Sequence, residues 1–200
     1  QDEEAECELR NLAAVPYQII SPANNKSIVG IFQDSLLGIY RFTRSDIKFS
    51  NKTAMNLLMY LKTVDLKTIN ISNPEISNFD ILSQIIPNMS IKYKTKRFQN
   101  DEDYSNSNNV LEINNGKYVR GQIEKGVLGD GNKGLIQRIY NDYDYFRCSK
   151  FIDDLQNIVT EYMKISGFSV GISDLIADTD TNSRINETIN NKILEVKNLI

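Results

Sequence analysis

Four stretches of this 200-residue chain have residue types and spacing that could do chemistry. Gly129-Asp130-Gly131-Asn132-Lys133-Gly134 matches Gly-x-Gly-x-x-Gly between a strand-like run and a helix, where backbone N–H groups could cradle a phosphate. A dinucleotide site also needs a βαβ unit whose next strand closes on an acidic residue, and residues 135–166 read as helix throughout. The glycine turn is therefore the better reading, and a small nucleotide-binding enzyme is a third hypothesis, testable by titration with ATP, GTP or NAD. Asp178-Thr179-Asp180-Thr181-Asn182 resembles the opening of a calcium loop, but Ser183 stands where that loop needs its turn glycine and Ile189 where it needs a bidentate Glu. A helix-capping turn ahead of Ile185 accounts for it. The tandem acids Asp101, Glu102 and Asp103, and Asp153 with Asp154, sit in polar contexts and read as solvated surface rather than a metal cluster.

The chain has no His, which removes imidazole as general base, metal ligand or triad member. Cys7 and Cys148 are too few and too far apart for a disulfide framework or a zinc site, so a reducing intracellular setting is expected. The net charge of -3 argues against a free-standing nucleic-acid binder, which would need a surplus of Lys and Arg, while leaving room for local basic sites. No apolar run approaches the roughly 20 residues of a membrane helix. With 40% hydrophobic and 24% charged residues, the composition is that of an ordinary globular chain. The excess of Asn and Ile is what an AT-rich genome encodes.

Elements must position these residues. Residues 2–14 read as a helix with an acidic first turn, bounded by Pro16. Ser21-Pro22-Ala23-Asn24-Asn25-Lys26 is turn-rich, and Ile28-Val29-Gly30-Ile31-Phe32 reads as a buried strand. Gln33 and Asp34 end that strand and lead into a short helix carrying Leu36, Leu37, Tyr40 and Phe42, so they are expected to cap it; Ser21 and Pro22 are expected to shape a turn against a neighbouring segment. A helix from Ser50 or Asn51 should bury Met55, Leu58 and Met59 on one face. Residues 80–86 read as helical turns stopped before Pro87, 90–97 as a strand, and 100–109 as an exposed, mobile loop. The strands 110–113 and 117–123 flank Asn114-Asn115-Gly116, whose last two residues tolerate positive φ and predict a hairpin. Helices are predicted over 135–145 and 149–166. Ile185, Ile189, Ile193, Val196 and Ile200 form one more apolar stripe, on which the chain ends as a cut fragment would. The fold class expected is α+β, with a mixed part of short strands and helices up to 166 and a helical segment over 167–200.

Ordered blocks of sequence carry a family resemblance. Glu3-Glu4-Ala5-Glu6, Leu12-Ala13-Ala14-Val15-Pro16, Ile20-Ser21-Pro22, Gly30-Ile31-Phe32-Gln33-Asp34, Gly38 and Thr43 come first. Asp80-Ile81-Leu82-Ser83, Ile86-Pro87-Asn88, and Gly121-Gln122-Ile123-Glu124-Lys125 through Gly129 to Gly134-Leu135-Ile136 follow. The last block runs from Gly167-Phe168-Ser169-Val170-Gly171-Ile172-Ser173-Asp174 through Ile176-Ala177-Asp178 to Ile185-Asn186-Glu187-Thr188-Ile189. In this order they resemble the largest subunit of multisubunit DNA-directed RNA polymerases, from just after its metal-binding loop. Residues 49–78 and 94–109 carry no such likeness. The form is closer to eukaryotic, archaeal and large DNA virus enzymes than to bacterial ones, and the composition favours a giant-virus source.

The resemblance implies a pore domain over 1–166 and the beginning of a funnel domain over 167–200. It implies a role in transcription, lining the secondary channel through which nucleoside triphosphates enter and backtracked RNA protrudes. The family's nucleotidyltransferase chemistry uses magnesium held by aspartates of a loop absent here, so no catalytic residue and no metal ligand is expected in this chain, and the chain alone should be inactive. Glu124-Lys125 matches the family's basic pore element, which makes Lys125 the candidate channel residue; Gly126 stands where the family often has a second basic residue. The partners implied are the other polymerase subunits, especially the second-largest, the bridge helix, DNA template and RNA in the complete enzyme, and a transcript-cleavage factor, with no membrane. The setting implied is intracellular: virion and host cytoplasm if viral, nucleus if cellular. A free-standing polymerase-derived module that binds a transcription factor is the alternative.

Overall fold

A computed structural model describes residues 2–69, 72–128 and 134–199. The chain divides into two compact units, Gln1–Ser166 and Gly167–Ile200. The first mixes helices with three small antiparallel sheets, an α+β architecture.

The chain opens with α1 (Glu3–Glu8), capped by the Asp2 carboxylate, which accepts the Ala5 N–H at 2.9 Å and sits with Glu3, Glu4 and Glu6 at the positive end of the helix. Beyond Glu8 the coil widens into a π-helical turn, Leu9–Ala13, then breaks at Ala14 before the 3-10 turn Val15–Gln18 that contains Pro16. Strands β1 (Ile20–Ser21) and β2 (Lys26–Ser27) make a short hairpin around Pro22. The buried strand expected over 28–32 does not form. Ile31 is buried but Ile28 is exposed; the Ile28 N–H donates to the Ile19 carbonyl at 2.9 Å as the β1–β2 hairpin closes, and Gly30 then runs against the Leu128 carbonyl, 3.1 Å from where a Cβ would stand.

Helix α2 (Gln33–Phe42) follows, and then β3 (Lys48–Ser50), which pairs Phe49 with Ile76 of β4 (Glu75–Ser77). Between them α3 (Asn51–Leu58) starts at Ser50, whose Oγ accepts the Thr53 N–H at 3.3 Å. This helix turns Ala54, Leu57 and Leu58 inward, whereas Met59, expected on the buried face, is 80% exposed where the helix has already stopped. Helix α4 (Asn78–Ser83) is capped by Ser77, whose Oγ accepts the Phe79 N–H at 3.2 Å.

Strands β5 (Ile91–Lys94), β6 (Val110–Asn114) and β7 (Lys117–Arg120) form a meander. The β6–β7 turn is Asn115-Gly116, at φ of 48° and 77°, the two left-handed positions that a tight hairpin matching strand twist demands. Strand β7 stops at Arg120, short of the expected 123. Gly121 turns the chain at φ +107°, and a Cβ there would meet Leu111 Cα at 2.5 Å. The short helix α5 (Lys125–Leu128), α6 (Leu135–Asp142) and the 22-residue α7 (Tyr145–Ser166) complete the unit.

Helix α7 is the centre of the core. Its Cys148, Phe151, Leu155, Ile158, Val159 and Tyr162 are all buried, and it packs on α2, α3, α6 and the Val15–Gln18 turn. Phe42, Phe49 and Tyr162 bring α2, β3 and α7 together with ring centroids 5.1 to 5.9 Å apart. The same helix buries Asp154, which reading it as solvated surface had not allowed for; it shares the inward face with Phe151, Leu155 and Ile158, while Asp153 beside it is exposed.

The second unit holds a 3-10 turn, Ile172–Leu175, and α8 (Thr179–Leu199). Of its predicted stripe, Ile185, Ile189, Ile193 and Val196 lie along the helix, each about half exposed, and Ile200 lies outside the described residues.

Gly38 allows α2 and α7 to cross at short range. A Cβ there would lie 2.8 Å from Met163 Cγ and closer still to Val159 Cγ1. Gly38→Ala is expected to destabilise the chain by about 1–3 kcal/mol through overpacking, read as a lower urea midpoint; an unchanged midpoint would show that the crossing is loose.

Candidate functional site

Lys125 opens α5 and is exposed. Its base is fixed on both sides. Behind it Val127 and Leu128 are fully buried, and ahead of it the Glu124 carboxylate accepts the Lys96 N–H at 2.6 Å, tying the segment to the turn after β5. The Ile123 N–H donates to the buried Thr43 hydroxyl at 3.0 Å, which fastens the same segment to the end of α2. The cation is thus held out on an anchored four-residue helix.

Gly126, where the resemblance expects a second basic residue, lies against another lysine. A Cβ at Gly126 would stand 3.6 Å from Lys96 Cε, so the Lys96 side chain, from a different segment, passes beside Gly126. Sequence reasoning passed over Lys96. The signal that could have found it is the alternation of Lys92, Lys94 and Lys96, which puts three cations on one side of an extended run.

The remaining expected positions serve structure. Ser21 and Pro22 begin the β1–β2 turn; the Ser21 carbonyl accepts the Asn25 N–H at 2.9 Å, and Gln137 Nε2 of α6 donates to the Asn25 carbonyl at 3.1 Å. Gln33 has φ +51° at the start of α2, and Asp34 lies in the first turn, where its charge suits the helix dipole. The N-cap position itself belongs to Phe32 and has no side-chain cap hydrogen bond, so neither residue makes the capping bond their types suggested.

Of the glycine-rich stretch, residues 129–133 lie outside the described residues; Gly134 is the N-cap of α6. The acidic stretch before α8 is a helix-capping turn: Asp178 Oδ1 accepts the Thr181 N–H at 2.7 Å and its carbonyl accepts the Asn182 N–H at 3.0 Å. Glu102 organises the loop expected to be mobile, accepting hydrogen bonds from the Ser107 hydroxyl, from Asn109 Nδ2 at 2.9 Å and from the Gln99 N–H at 3.3 Å. Among the described residues no group of three His, Cys, Asp or Glu side chains could hold a metal ion, and no helix is long and apolar enough to cross a membrane.

Burial moves several groups, the Tyr93 and Tyr118 phenols upward among them. The Cys148 thiol is pushed up to about 12, first by desolvation and then by Asp144, which makes it a packing residue rather than a nucleophile at neutral pH. The Asp154 carboxyl is also raised, by desolvation against the pull of Lys150.

The family model RNA polymerase Rpb1, domain 3, matches residues 18–175. Two DNA-directed RNA polymerase II subunits of Trypanosoma brucei brucei, RPB1-A and RPB1-B, are each 28% identical to this chain over 184 residues, which is 91% of the chain and 10% of either relative. The chain thus spans about a tenth of the length of the curated relatives it matches.

The hydrogen bonds from the Thr181 side chain and N–H hold the Asp178 carboxyl below the usual range. A lowered folded value means that the cap's contribution is complete above the ordinary aspartate value of about 3.9 and fades as pH falls through the lower folded value. Following the Thr181 amide resonance with pH should give a midpoint below that ordinary value; a midpoint at or above it would contradict the cap.

Proposed function

The chain belongs to the RNA polymerase Rpb1 domain 3 family, and from that premise we propose that it lines the pore, or secondary channel, of a DNA-directed RNA polymerase. Nucleoside triphosphates would enter along it, and the 3′ end of a backtracked transcript would protrude into it. In this reading the unit Gln1–Ser166 is the pore domain and Gly167–Ile200 begins the funnel.

The observation that carries the channel role is the presentation of Lys125. A passage for triphosphates works best with sparse positive charge at a narrow point and an otherwise acidic surface, because the cation draws phosphate while the surroundings limit nonspecific sticking. A net charge of -3 and an exposed Lys125 on an anchored segment suit such a passage.

Nucleotidyl transfer in the complete enzyme depends on magnesium, which stabilises the attacking and leaving oxygens. The described acidic residues form no cluster suited to such an ion. The reading, on the family resemblance, places the ligands in another part of the enzyme and gives this chain the wall beside the reaction, with the other polymerase subunits, template and transcript as its partners.

Lys125→Ala in the complete polymerase is expected to raise the apparent KM for nucleoside triphosphates about two- to fivefold, or to change the rate of cleavage of backtracked RNA, with template binding intact. Unchanged kinetics in both assays would remove Lys125 from the channel.

A further inference from the structure

Positive charge is concentrated on the outer face of β5 and the turn after it, in a chain that is acidic overall. Lys92 and Lys94 point outward from the strand while Ile91 is buried beneath it, and Lys96 and Arg97 follow, both exposed. Lys92 is neutralised by Glu112 at 3.3 Å, a carboxylate that Arg120 also engages. No carboxylate among the described residues is in ion-pair contact with Lys94, Lys96, Arg97 or Arg138. Of the nearby acids, Glu124 holds the Lys96 N–H and Glu102 is tied to Ser107 and Asn109, while Asp142 lines the adjoining cavity.

Aromatic rings are interleaved with these cations. The Lys94 ammonium lies 4.3 Å from the Phe98 ring centre and 5.6 Å from that of Tyr104, Lys92 lies 5.1 Å from Tyr104, and the two rings meet edge to face at 6.2 Å. Tyr104 keeps 39% of its surface exposed. Arg97 lies over the Tyr40 ring, 4.8 Å from its centre. Beside Lys94 is a cavity of about 610 Å³ lined by Tyr93, Lys94, Gly134, Gln137, Arg138, Asn141 and Asp142. Two of its lining residues carry buried polar atoms without a hydrogen-bond partner, Tyr93 Oη and Gln137 Oε1. Unpartnered buried polar atoms cost stability, so this pair calls for an explanation that packing does not supply.

We propose that the β5 face binds single-stranded nucleic acid, with its phosphates on Lys94, Lys96, Arg97 and Arg138, Tyr104 and Phe98 as stacking platforms, and one base in the cavity between β5 and α6. Aromatics among cations are how sequence-tolerant single-strand binders hold bases. A base edge carries both donors and acceptors, which would give Gln137 Oε1 and Tyr93 Oη the partners they lack, while Asp142 and Asn141 can meet an exocyclic amine. Burial holds the Tyr93 phenol well above its usual range, so it stays a hydrogen-bond donor at neutral pH. The inference rests on this face alone and not on the channel role of Lys125.

The test is fluorescence anisotropy of a labelled 12-nucleotide single-stranded RNA with the 200-residue chain. Binding should weaken with salt with a log–log slope of about −3, four phosphates at roughly −0.7 each. Lys94→Ala, Lys96→Ala and Arg97→Ala together should weaken it at least tenfold and flatten the slope, whereas Lys192→Ala with Lys197→Ala, exposed on α8, should leave it unchanged. Tyr93→Phe removes only the unpartnered hydroxyl and should weaken binding severalfold while the melting temperature holds or rises. Absence of binding, or equal binding by the triple variant, would overturn the proposal. So would displacement of the RNA by polyglutamate as effective as displacement by unlabelled RNA, which would make this a docking face for an acidic protein. Tyr93→Phe binding with parental affinity would overturn the cavity as a base site. Every one of these variants keeps Lys125, so failure here and failure of the channel reading are separately visible.

Discussion

Where α2 ends, the Phe42 and Arg44 carbonyls are met by a side chain from far along the sequence, and this contact ties the first unit together. Asn78, fully buried, donates from Nδ2 to the Phe42 carbonyl at 2.5 Å and to the Arg44 carbonyl at 2.8 Å. Thr43, equally buried, donates its hydroxyl to the Ile39 carbonyl at 2.9 Å and accepts the Ile123 N–H on the same oxygen. Three segments far apart in sequence are locked at one dry point, where a lost partner would strand a polar group. The sheets are too small to organise the fold. Position passes instead from the core helix α7 through the close crossing at Gly38 into α2, from α2 through Thr43 to Ile123, and so to the segment that presents Lys125.

Much of this was legible where local chemistry decides the outcome. Ser50 ahead of α3, Asn115-Gly116 between β6 and β7, and the apolar spacing of α7 each specify their element through neighbours a few residues away. The reading failed where the deciding partner is distant. The run 28–32 has strand composition, but its backbone is committed to an approach to Leu128, nearly a hundred residues on. Strand β7 ends early because Gly121 must clear Leu111, and Asp154 is buried by the face it occupies on a helix whose inward side only the packing sets. Nothing in the spacing of Thr43 and Asn78 marks them as the fold's central polar contact.

The site divides along the same line. Lys125 was found through family resemblance, which pointed to a single position; what makes that position a fixed one, Glu124 on the Lys96 backbone and two buried residues behind, belongs to the folded chain. Lys96 escaped notice because it lies in a stretch with no family likeness, 29 positions before Lys125. Its side chain comes to Gly126 only through the turn that closes β5. A lysine side chain from a different segment thus lies beside the position where the family often places its second cation.

The hairpin turn at Asn115-Gly116 has a bearing on how the molecule ages. Asn followed by Gly is prone to cyclise, because the glycine nitrogen meets no side chain as it attacks the asparagine amide carbon, and the ring then opens to aspartate or isoaspartate. Here the Gly116 N–H is donated to the Met89 carbonyl at 2.9 Å, the Asn115 N–H to Ser90 Oγ at 3.0 Å, and the Ser90 hydroxyl lies 3.2 Å from Asn115 Oδ1. The attacking nitrogen and the amide under attack are both held by the residues leading into β5, so spontaneous deamidation is slowed for as long as the meander stays folded.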